Sequence, residues 1–557
     1  MAVDPWIILR KIDGRGYKAY QELMGRALDL GEGIVARPLR IQSDPFAPPS
    51  IIEFNAPFPR AREHLASCSN CVKPLEDFLY RRLHTELRKN SWRAGEGHSG
   101  ELSVPRPGPI VIKRRALLLD VGRQALTVLV RLGLPSRRRR VLAREALETF
   151  RKASLALKRA LDTGVPHVEK ALREHLELWR AQQAIRRWMS RNRVFSFIAE
   201  GSILPRKCGG CEEPLENAVP FDPPPSLSVE VDTGTGLGAV RGMALPRGLT
   251  LVLGPAFHGK TTLAEAIAQG VWDHVGGDGR ELVLTDRETV VVQSENRRHA
   301  SCVDLTPWFS SLPGHGSVEC FNTADASGST SMAATIMEFL ELGASGFVID
   351  EDTSASNFIH RDKLVERLVG AKTLISLSEN APRLKKAGKS LLIVATGVED
   401  LAPHADVILI MHEYRPQDVT ESVKRLYGEQ PPGGGDESYS VFPHPRERVL
   451  EKTPSIEKPK LRGRNAEAKG LEDPIDLRPL WQLEEESQLA TVVALGLGEL
   501  DRYRGRRVRE VSESLSRVPL DKNAPANPSL VEVRPVDVGF VINRVPGLVA
   551  SRAVGRG

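Results

Sequence analysis

The chain has 557 residues, enough for about two to four domains, and its 41% of hydrophobic residues excludes global disorder. The net charge of +6 is unevenly distributed: residues 131–193 contain 17 Lys or Arg against 6 Asp or Glu, which favours a polyanionic partner. The longest apolar runs are far shorter than the roughly 20 residues of a membrane span, and the N-terminus lacks a signal peptide's apolar stretch, so we expect a cytoplasmic protein with no membrane partner.

The first 224 residues predict an α+β N-terminal domain in two parts. Residues 1–110 mix short helical and extended patterns, punctuated by proline-rich pieces that break helices. Residues 111–224 begin with one strand candidate and continue with two long stretches whose apolar residues recur every three or four positions. The break DTGVPH separates these stretches, so we expect a basic helical hairpin that completes the N-terminal domain.

Residues 225–428 predict an α/β domain. Five strand-like runs alternate with helical segments, which indicates a parallel sheet covered by helices: LTLVLG, TVVVQS, GFVID, LLIVAT and VILIM. The following stretch GEQPPGGGDES has the composition of a flexible linker. The rest of residues 429–557 is a polar C-terminal extension with one helical piece.

The stretch GPAFHGKT, residues 254–261, matches the G-x-x-x-x-G-K-[ST] pattern of a phosphate-binding loop, and it lies between a strand and an apolar helix as that motif requires. Gly254 and Gly259 let the backbone wrap a polyphosphate, so that N–H groups point inward. Lys260 reaches the β- and γ-phosphates of ATP, and Thr261 offers a hydroxyl to Mg²⁺. A chance glycine-rich turn is the alternative. The other predicted contacts to ATP are Pro255, Ala256, Phe257, His258 and Thr262.

The run GFVID ends in three adjacent carboxylates, Asp350, Glu351 and Asp352, which repel one another unless a cation lies beside them. Asp350, at the end of the strand, is expected to hold Mg²⁺ together with Thr261. Glu351 is expected to orient or deprotonate the attacking water. The predicted catalytic residues are therefore Glu351, Lys260 and Asp350, with a simple polar strand end as the alternative.

The loop ASGSTS, residues 326–331, opens an amphipathic helix that leads into this acidic strand. Serine hydroxyls, free N–H groups and the helix dipole favour an anion at such a position, although serine–glycine caps are common. We predict that Ser327, Gly328 and Ser329 contact the nucleotide.

These motifs together resemble the predicted ABC-class ATPase family, whose eukaryotic members include a mitochondrial RNA-editing factor. The resemblance extends from about residue 8 to about residue 425 and includes IDGRGYKAY, QSDPFAPPS, AEGSILPR, GPAFHGKTTL, GDGRE, ASGSTS, DEDTSASNFIHRD and YRPQDVT. It implies an ABC-type P-loop domain, preceded by a domain of the family's own, that uses ATP and Mg²⁺. It also implies a dimer in which the loop at Ser327 caps the γ-phosphate held by the partner, and RNA binding in at least one member.

The chain also departs from the usual ABC pattern. After SLLIVAT a transporter ATPase would have a switch histidine, whereas Thr396 and Gly397 stand near that place and His404 lies further on. The glutamine expected between the phosphate loop and the signature is Gln293 or Glu295. No aromatic residue upstream of the phosphate loop is clearly placed to stack on adenine. These departures predict slow hydrolysis and a relaxed base preference.

Arginine clusters in the basic segment are the candidate contacts to nucleic acid. Arginines neutralise phosphates, and the neighbouring Trp188 and Phe195 could stack on bases. A solvated, arginine-rich helix face is the alternative. We expect RNA as the partner, with DNA as the alternative. The candidate contacts are Arg137, Arg138, Arg139, Arg140, Arg186 and Arg187.

Two C-x-x-C pairs could together supply four thiolates to a tetrahedral zinc ion, if the fold brings the pairs together. A redox pair, a structural disulfide and unpaired buried thiols are the alternatives. Cys302 and Cys320 have the pattern of ordinary core residues. The four candidate zinc ligands are Cys68, Cys71, Cys208 and Cys211.

The leading hypothesis is an ABC-class ATPase that binds and hydrolyses Mg-ATP as a nucleotide-gated dimer, coupled to RNA through its basic N-terminal domain. A DNA-maintenance ATPase, whose basic face would bind duplex DNA, is one alternative. A soluble subunit that energises a membrane transporter is the other, and the large N-terminal region and the basic segment count against it.

Overall fold

The computed structural model describes residues 2–66, 68–314, 316–360, 373–396, 400–428, 440–498, 500–520 and 525–553. Gly397 and almost all of the predicted linker GEQPPGGGDES lie outside these residues. The chain divides into two compact units: unit 1 comprises Met1–Trp179 and Arg517–Glu532, and unit 2 comprises Arg180–Ser516 and Val533–Gly557.

Unit 1 contains an antiparallel sheet with the strand order β1-β2-β3-β6-β4, and β5 pairs with β6 outside that path. The strands of unit 1 are β1 (Leu28–Asp29), β2 (Val35–Arg40), β3 (Ser50–Pro57), β4 (Leu102–Ser103), β5 (Leu117–Asp120), β6 (Ala125–Leu132), β7 (Ser136–Arg137) and β8 (Arg140–Val141), of which β7 and β8 pair with each other in a separate hairpin. Its helices are α1 (Pro5–Ile12), α2 (Ala61–Leu65), α3 (Val72–Asn90), α4 (Ala143–Leu161) and the first part of α5 (Pro166–Arg191).

The two helices that the periodicity predicts are α4 and α5. Helix α4 buries one stripe of small and apolar side chains, among them Ala146, Phe150 and Leu157, and packs against α3. Pro166 begins α5, where its fixed backbone angle suits the first turn of a helix. The division between the two units falls inside α5, after Trp179.

Unit 2 contains a parallel sheet with one antiparallel edge strand, in the order β14-β17-β18-β12-β19-β20. A second, antiparallel sheet has the order β10-β11-β9-β13. In chain order the strands are β9 (Val194–Ala199), β10 (Ser228–Asp232), β11 (Ala239–Pro246), β12 (Leu249–Leu253), β13 (Val283–Thr285), β14 (Thr289–Val292), β15 (Arg298–Val303), β16 (Phe321–Ala326), β17 (Gly346–Asp350), β18 (Ser390–Val394), β19 (Val407–His412) and β20 (Arg415–Asp418).

All five strands that the sequence predicted for the α/β domain are present, as β12, β14, β17, β18 and β19. They are buried on both faces, which explains their nearly continuous apolar character. Strand β9 pairs with β11, and this pairing joins residues upstream of 225 to unit 2. The helices of this part are α6 (Lys260–Gln269), α7 (Gly328–Glu341), α8 (Ser356–Ile359), α9 (Leu377–Lys386) and α10 (Thr420–Gly428).

Most of the described C-terminal extension belongs to unit 2. It contains β21 (Arg448–Lys452), β22 (Glu457–Arg462), β23 (Asn465–Lys469), β24 (Ile475–Asp476), α11 (Glu486–Leu497), α12 (Val508–Arg517), α13 (Pro535–Asn543) and β25 (Val549–Arg552). Helix α13 packs against both α11 and α7. The extension therefore contributes to the core beneath α7.

The six cysteines form three disulfides, Cys68–Cys71, Cys208–Cys211 and Cys302–Cys320. The predicted shared zinc site is therefore wrong for this structure, because all four sulfurs of the two C-x-x-C pairs are bonded within their own pairs. No group of three or more His, Cys, Asp or Glu residues that could hold a metal ion occurs among the described residues. Cys302 is buried, as the sequence indicated, but it is bonded to Cys320, because the antiparallel pairing of β15 with β16 brings the two cysteines together.

Candidate active site

The predicted phosphate-binding loop connects the central strand β12 to the N-terminus of α6. Gly254 has φ of +136°, and a Cβ atom there would lie 2.5 Å from the carbonyl oxygen of Met411. Gly259 has φ of +92° and precedes the first helical residue, Lys260. Both positions require glycine, because a side chain would be strained at these φ values and would collide with β19 or the turn that follows it. The loop exposes Pro255, Ala256 and Phe257, whereas His258 and Thr262 are half-buried.

Lys260 and Thr261 both point their polar atoms into this region. The Lys260 ammonium donates to the carbonyl oxygens of Gly254 and Pro255 at 2.7 and 3.0 Å, so the lysine folds over its own loop. The Thr261 hydroxyl donates to Oδ2 of Asp350 at 2.7 Å. The structure thus brings together the hydroxyl and the carboxylate that the sequence predicted to share a Mg²⁺ ion.

Asp350 ends β17 and is buried. Burial raises the pKa of Asp350 above its ordinary value, and the hydrogen bond from Thr261 acts in the opposite direction. A divalent cation beside Asp350 would favour its charged form. A hydroxyl and a carboxylate at hydrogen-bonding distance are oxygen ligands of the kind that Mg²⁺ prefers, so these two residues fit that ion.

Glu351 follows Asp350 at the same edge of the sheet. One of its carboxylate oxygens, Oε2, accepts hydrogen bonds from the backbone N–H and the hydroxyl of Thr396, at 2.5 and 2.8 Å. Thr396 comes two residues after β18, near the place where a transporter ATPase would have its switch histidine. The sequence marked this position but did not show that a threonine there would orient Glu351.

Gln293 and Glu295 were the two candidates for the glutamine expected between the phosphate loop and the signature loop. Strand β14 pairs with β17 up to Val292 and Ile349, so Gln293 follows in register with Asp350. Glu295 instead forms a buried ion pair with Arg544 and accepts a hydrogen bond from Thr335. Of the two candidates, Gln293 is therefore the one that follows β14 at the end of the sheet where Asp350 ends β17.

The loop at Ser327 leads into α7. Ser327 is the residue before the helix and is exposed, and Gly328 begins the helix with φ of +53°. The Ser329 hydroxyl donates to Oδ1 of Asn357, which lies in α8 just after the acidic strand. The three predicted nucleotide contacts thus lie at the N-terminus of a 14-residue helix, where the helix dipole favours an anion and where Ser327 and Thr330 form a capping box.

Buried charged residues pack against helix α7, and the sequence had singled out none of them except Glu295. Arg298 donates to both carboxylate oxygens of Glu338, at 2.6 and 2.7 Å. Arg448 binds Glu341 through its Nε atom at 2.8 Å and through its backbone N–H at 2.7 Å. These residues, with Glu295 and Arg544, form a cluster of three arginines and three glutamates that we call the α7 ion cluster.

The four consecutive arginines form an exposed β-hairpin and do not lie on a helix. Arg138 and Arg139 occupy its tip with φ of +49° and +55°, and Glu96 accepts hydrogen bonds from both of their backbone N–H groups. The hairpin contacts the N-terminal loop, where Tyr17 donates its backbone N–H to Arg139 at 2.8 Å. We call the exposed cluster formed by Arg15, Lys18 and Arg137–Arg140 the basic patch.

Arg186, Trp188 and Phe195 are packed against other residues of unit 2 and are not exposed as contacts to nucleic acid would be. The Arg186 guanidinium donates to Asp273 at 2.7 Å and to the carbonyl oxygens of Gly270, Trp272 and Thr285. Its burial lowers the pKa of Arg186 to about 10. These bonds occupy the guanidinium within unit 2, so Arg186 is unsuited to the predicted phosphate contact. Arg187 is exposed, whereas Phe195 is buried and Trp188 packs on Phe197.

Within the described part of the chain, no helix combines the length and the apolar content that crossing a bilayer requires.

Comparisons with known proteins identify the family of the two main parts of the chain. A family model of the ABC ATPase P-loop domain matches residues 168–448, and a model of the N-terminal domain of ABC-class ATPases matches residues 2–162. Uncharacterized protein MJ1628 of Methanocaldococcus jannaschii is 29% identical over 206 residues, which are 36% of this chain and 45% of that protein. The chain therefore matches less than half the length of this curated relative.

The solved structure of cbiO1 from Clostridium perfringens, part of the ABC transporter complex cbiONQ, is 15% identical and covers 35% of this chain and 87% of that one. Its TM-score of 0.23 is too low to carry an argument. The two family models together span most of the chain. The model of the N-terminal domain comes first, and the P-loop model that follows it includes the phosphate loop and the strand that ends in Asp350. The chain belongs to the family of ABC-class ATPases, with a P-loop ATPase domain preceded by the N-terminal domain of that class.

Proposed function

We propose that this ABC-class ATPase binds and hydrolyses Mg-ATP, works as a nucleotide-gated dimer, and couples its nucleotide state to RNA binding. The observation that supports hydrolysis most strongly is the arrangement at the end of β17. The hydroxyl oxygen of Thr261 and Oδ2 of Asp350 lie 2.7 Å apart, close enough to bind the same metal ion. The hydroxyl of Thr396 donates a hydrogen bond to the adjacent Glu351.

Each residue has a defined task in this proposal. Lys260 would exchange its two carbonyl partners for the β- and γ-phosphate oxygens, and the loop N–H groups would bind the same phosphates. Thr261 and Asp350 would hold Mg²⁺, which neutralises charge that develops on the phosphates. Glu351 would accept the proton of the attacking water, and the two bonds from Thr396 would keep its carboxylate oriented.

Titration calorimetry of Lys260→Ala with Mg-ATP tests the binding step. A hydrogen bond to a charged group contributes roughly 1.5–3 kcal/mol, so the loss of this lysine should weaken binding by about tenfold to a hundredfold. Lys452→Ala, which removes an exposed lysine from β21, is the matched control and should bind like the wild type. Equal affinities in all three proteins would contradict the proposed site.

The dimer is proposed from the loop at Ser327, which presents an exposed helix N-terminus suited to a γ-phosphate. Glu351→Gln should bind ATP without cleaving it and so accumulate as a dimer in light scattering. Adding Gly328→Asp should abolish that dimer, since a carboxylate would repel the phosphate. Adding Gly388→Asp is the control, because Gly388 also has a positive φ, +75°, and open space around it. A monomer in every case, or a dimer unaffected by Gly328→Asp, would contradict this arrangement.

RNA binding is proposed for the basic patch of unit 1. Its exposed arginines stand on a short hairpin, where a phosphate backbone can reach several of them at once. Two of its arginines form ion pairs with neighbouring carboxylates, Arg15 with Glu22 and Arg139 with Asp44. Binding of single-stranded RNA and duplex DNA of equal length, measured by fluorescence anisotropy, tests the partner. Preference for the duplex would favour DNA.

A further inference from the structure

The order of the strands indicates on which side of the phosphate loop the base of a bound nucleotide lies. Strand β12, which leads into the phosphate loop, has β18 and then β17 on one side, and β19 and then β20 on the other. Asp350 at the end of β17 marks the side of the metal and the γ-phosphate. A nucleotide bound along this edge therefore extends its base toward the side of β19.

An aromatic residue stands on that side. Strands β19 and β20 form a hairpin in which His412 pairs with Arg415, so Glu413 and Tyr414 are its two tip residues, with φ of +47° and +66°. This is the geometry of a tight two-residue turn, which glycine and asparagine usually occupy. A Cβ atom added to Gly259 would lie 2.9 Å from Cδ1 of Tyr414. The Tyr414 ring therefore lies against the phosphate loop.

The hairpin tip is attached to the phosphate loop through histidines. The backbone N–H of Glu413 donates to Nδ1 of His258 at 2.8 Å, and the rings of His258 and His412 lie 5.3 Å apart. On the other strand Arg415 forms an ion pair with Asp222 at 3.1 Å. These contacts hold Tyr414 at the loop while leaving its side chain half-exposed, with a relative accessibility of 50% for the residue.

We propose that Tyr414 is the surface on which the base of the bound nucleoside triphosphate stacks, an inference that rests on the proposed function. It supplies, from downstream of the phosphate loop, the aromatic ring that the sequence lacks at a clear position upstream. Stacking contacts the face of a base and not its edge, and every base has such a face. The contact therefore selects nucleotides over bare polyphosphate and discriminates weakly between ATP and GTP.

Calorimetry of the full chain with Mg-tripolyphosphate, Mg-ATP and Mg-GTP separates the phosphate contacts from the base contact. Stacking on one aromatic ring corresponds to roughly a tenfold to hundredfold gain in affinity. The wild type should bind both nucleotides more tightly than tripolyphosphate by this factor. Tyr414→Leu should lose the difference and leave tripolyphosphate binding unchanged, whereas Tyr414→Phe should restore it. Tyr503→Leu, the same change in the C-terminal extension, is the matched control.

The outcomes distinguish this inference from the proposed function. If ATP and tripolyphosphate bind the wild type equally, or if Tyr414→Leu keeps its preference for ATP, the stacking role is wrong while Mg-ATP binding stands. Phe257, which is 94% exposed on the loop, is the rival ring. A preference lost in Phe257→Leu but kept in Tyr414→Leu would overturn the assignment in favour of Phe257. If neither ligand binds the wild type, both proposals fall.

Discussion

Replacement of Arg544 by Met should destabilise unit 2 strongly, although Arg544 belongs to the C-terminal extension. Arg544 is buried in the α7 ion cluster, and its Nε atom donates to Glu295 at 2.6 Å. It also donates to Thr335 at 3.1 Å and to the carbonyl oxygen of Phe540 at 3.0 Å. Met keeps apolar volume at this position but leaves the buried Glu295 carboxylate without its closest counter-charge.

The expected loss is about 3–5 kcal/mol, the usual cost of breaking a buried ion pair by removing one partner. The lower half of that range fits this site, because Arg298 remains 3.7 Å from Glu295 and still compensates part of its charge. For a large domain roughly 2 °C of melting temperature corresponds to each kcal/mol, so the unfolding transition of unit 2 should fall by about 6–8 °C.

Thermal unfolding followed by circular dichroism measures this shift. Arg507→Met is the matched control, since Arg507 pairs with Glu447 in the same extension with side chains that are 46% and 40% exposed. Exposed pairs contribute about 0–1 kcal/mol, so the control should melt within about 2 °C of the wild type. The double variant Glu295→Gln, Arg544→Met should recover part of the loss. A single variant as stable as the control would refute the role of the α7 ion cluster.

Two further predictions concern RNA binding and turnover. Changing Arg137–Arg140 to Gln should weaken RNA binding and flatten its logarithmic salt dependence by about 0.7 for each RNA phosphate that is no longer neutralised, with ATP affinity unchanged. The control changes four arginines of unit 2 to Gln and should keep the wild-type slope: Arg502, Arg504, Arg506 and Arg507. A folded hairpin variant that keeps the wild-type slope would show that the four-arginine run is only a solvated surface. Thr396→Val should slow steady-state phosphate release about tenfold without weakening ATP binding, because Glu351 loses one of its two orienting hydrogen bonds; an unchanged rate would contradict this role.

The phosphate loop and the acidic strand were predictable because their chemistry is local. Gly254, Gly259 and Lys260 lie within seven residues, and the apolar runs before them and before Asp350 have the length of buried strands. The parallel sheet then brings Thr261 to Asp350 across 89 positions of sequence, as the motif pair requires.

Other features depend on contacts that no sequence pattern announces. Glu295 and Arg544 pair across 249 positions, and neither residue type indicates burial before its partner is known. Arg186 resembles its neighbour Arg187 in the sequence, but the helix turns only Arg186 toward Asp273. The four-arginine run immediately precedes α4, but the sequence did not show that Glu96 holds it in a hairpin by accepting hydrogen bonds from two of its backbone N–H groups.

Phosphate release from Mg-ATP, compared between the wild type and Glu351→Gln, tests the central claim most directly. Removing a positioned general base usually costs about a hundredfold to ten-thousandfold in rate, and the carboxamide keeps the shape of the side chain. We expect Mg²⁺-dependent turnover in the wild type and a loss of that size in the variant, with ATP affinity retained. Equal rates in the two proteins, or no turnover by the wild type either alone or with single-stranded RNA added, would contradict the account.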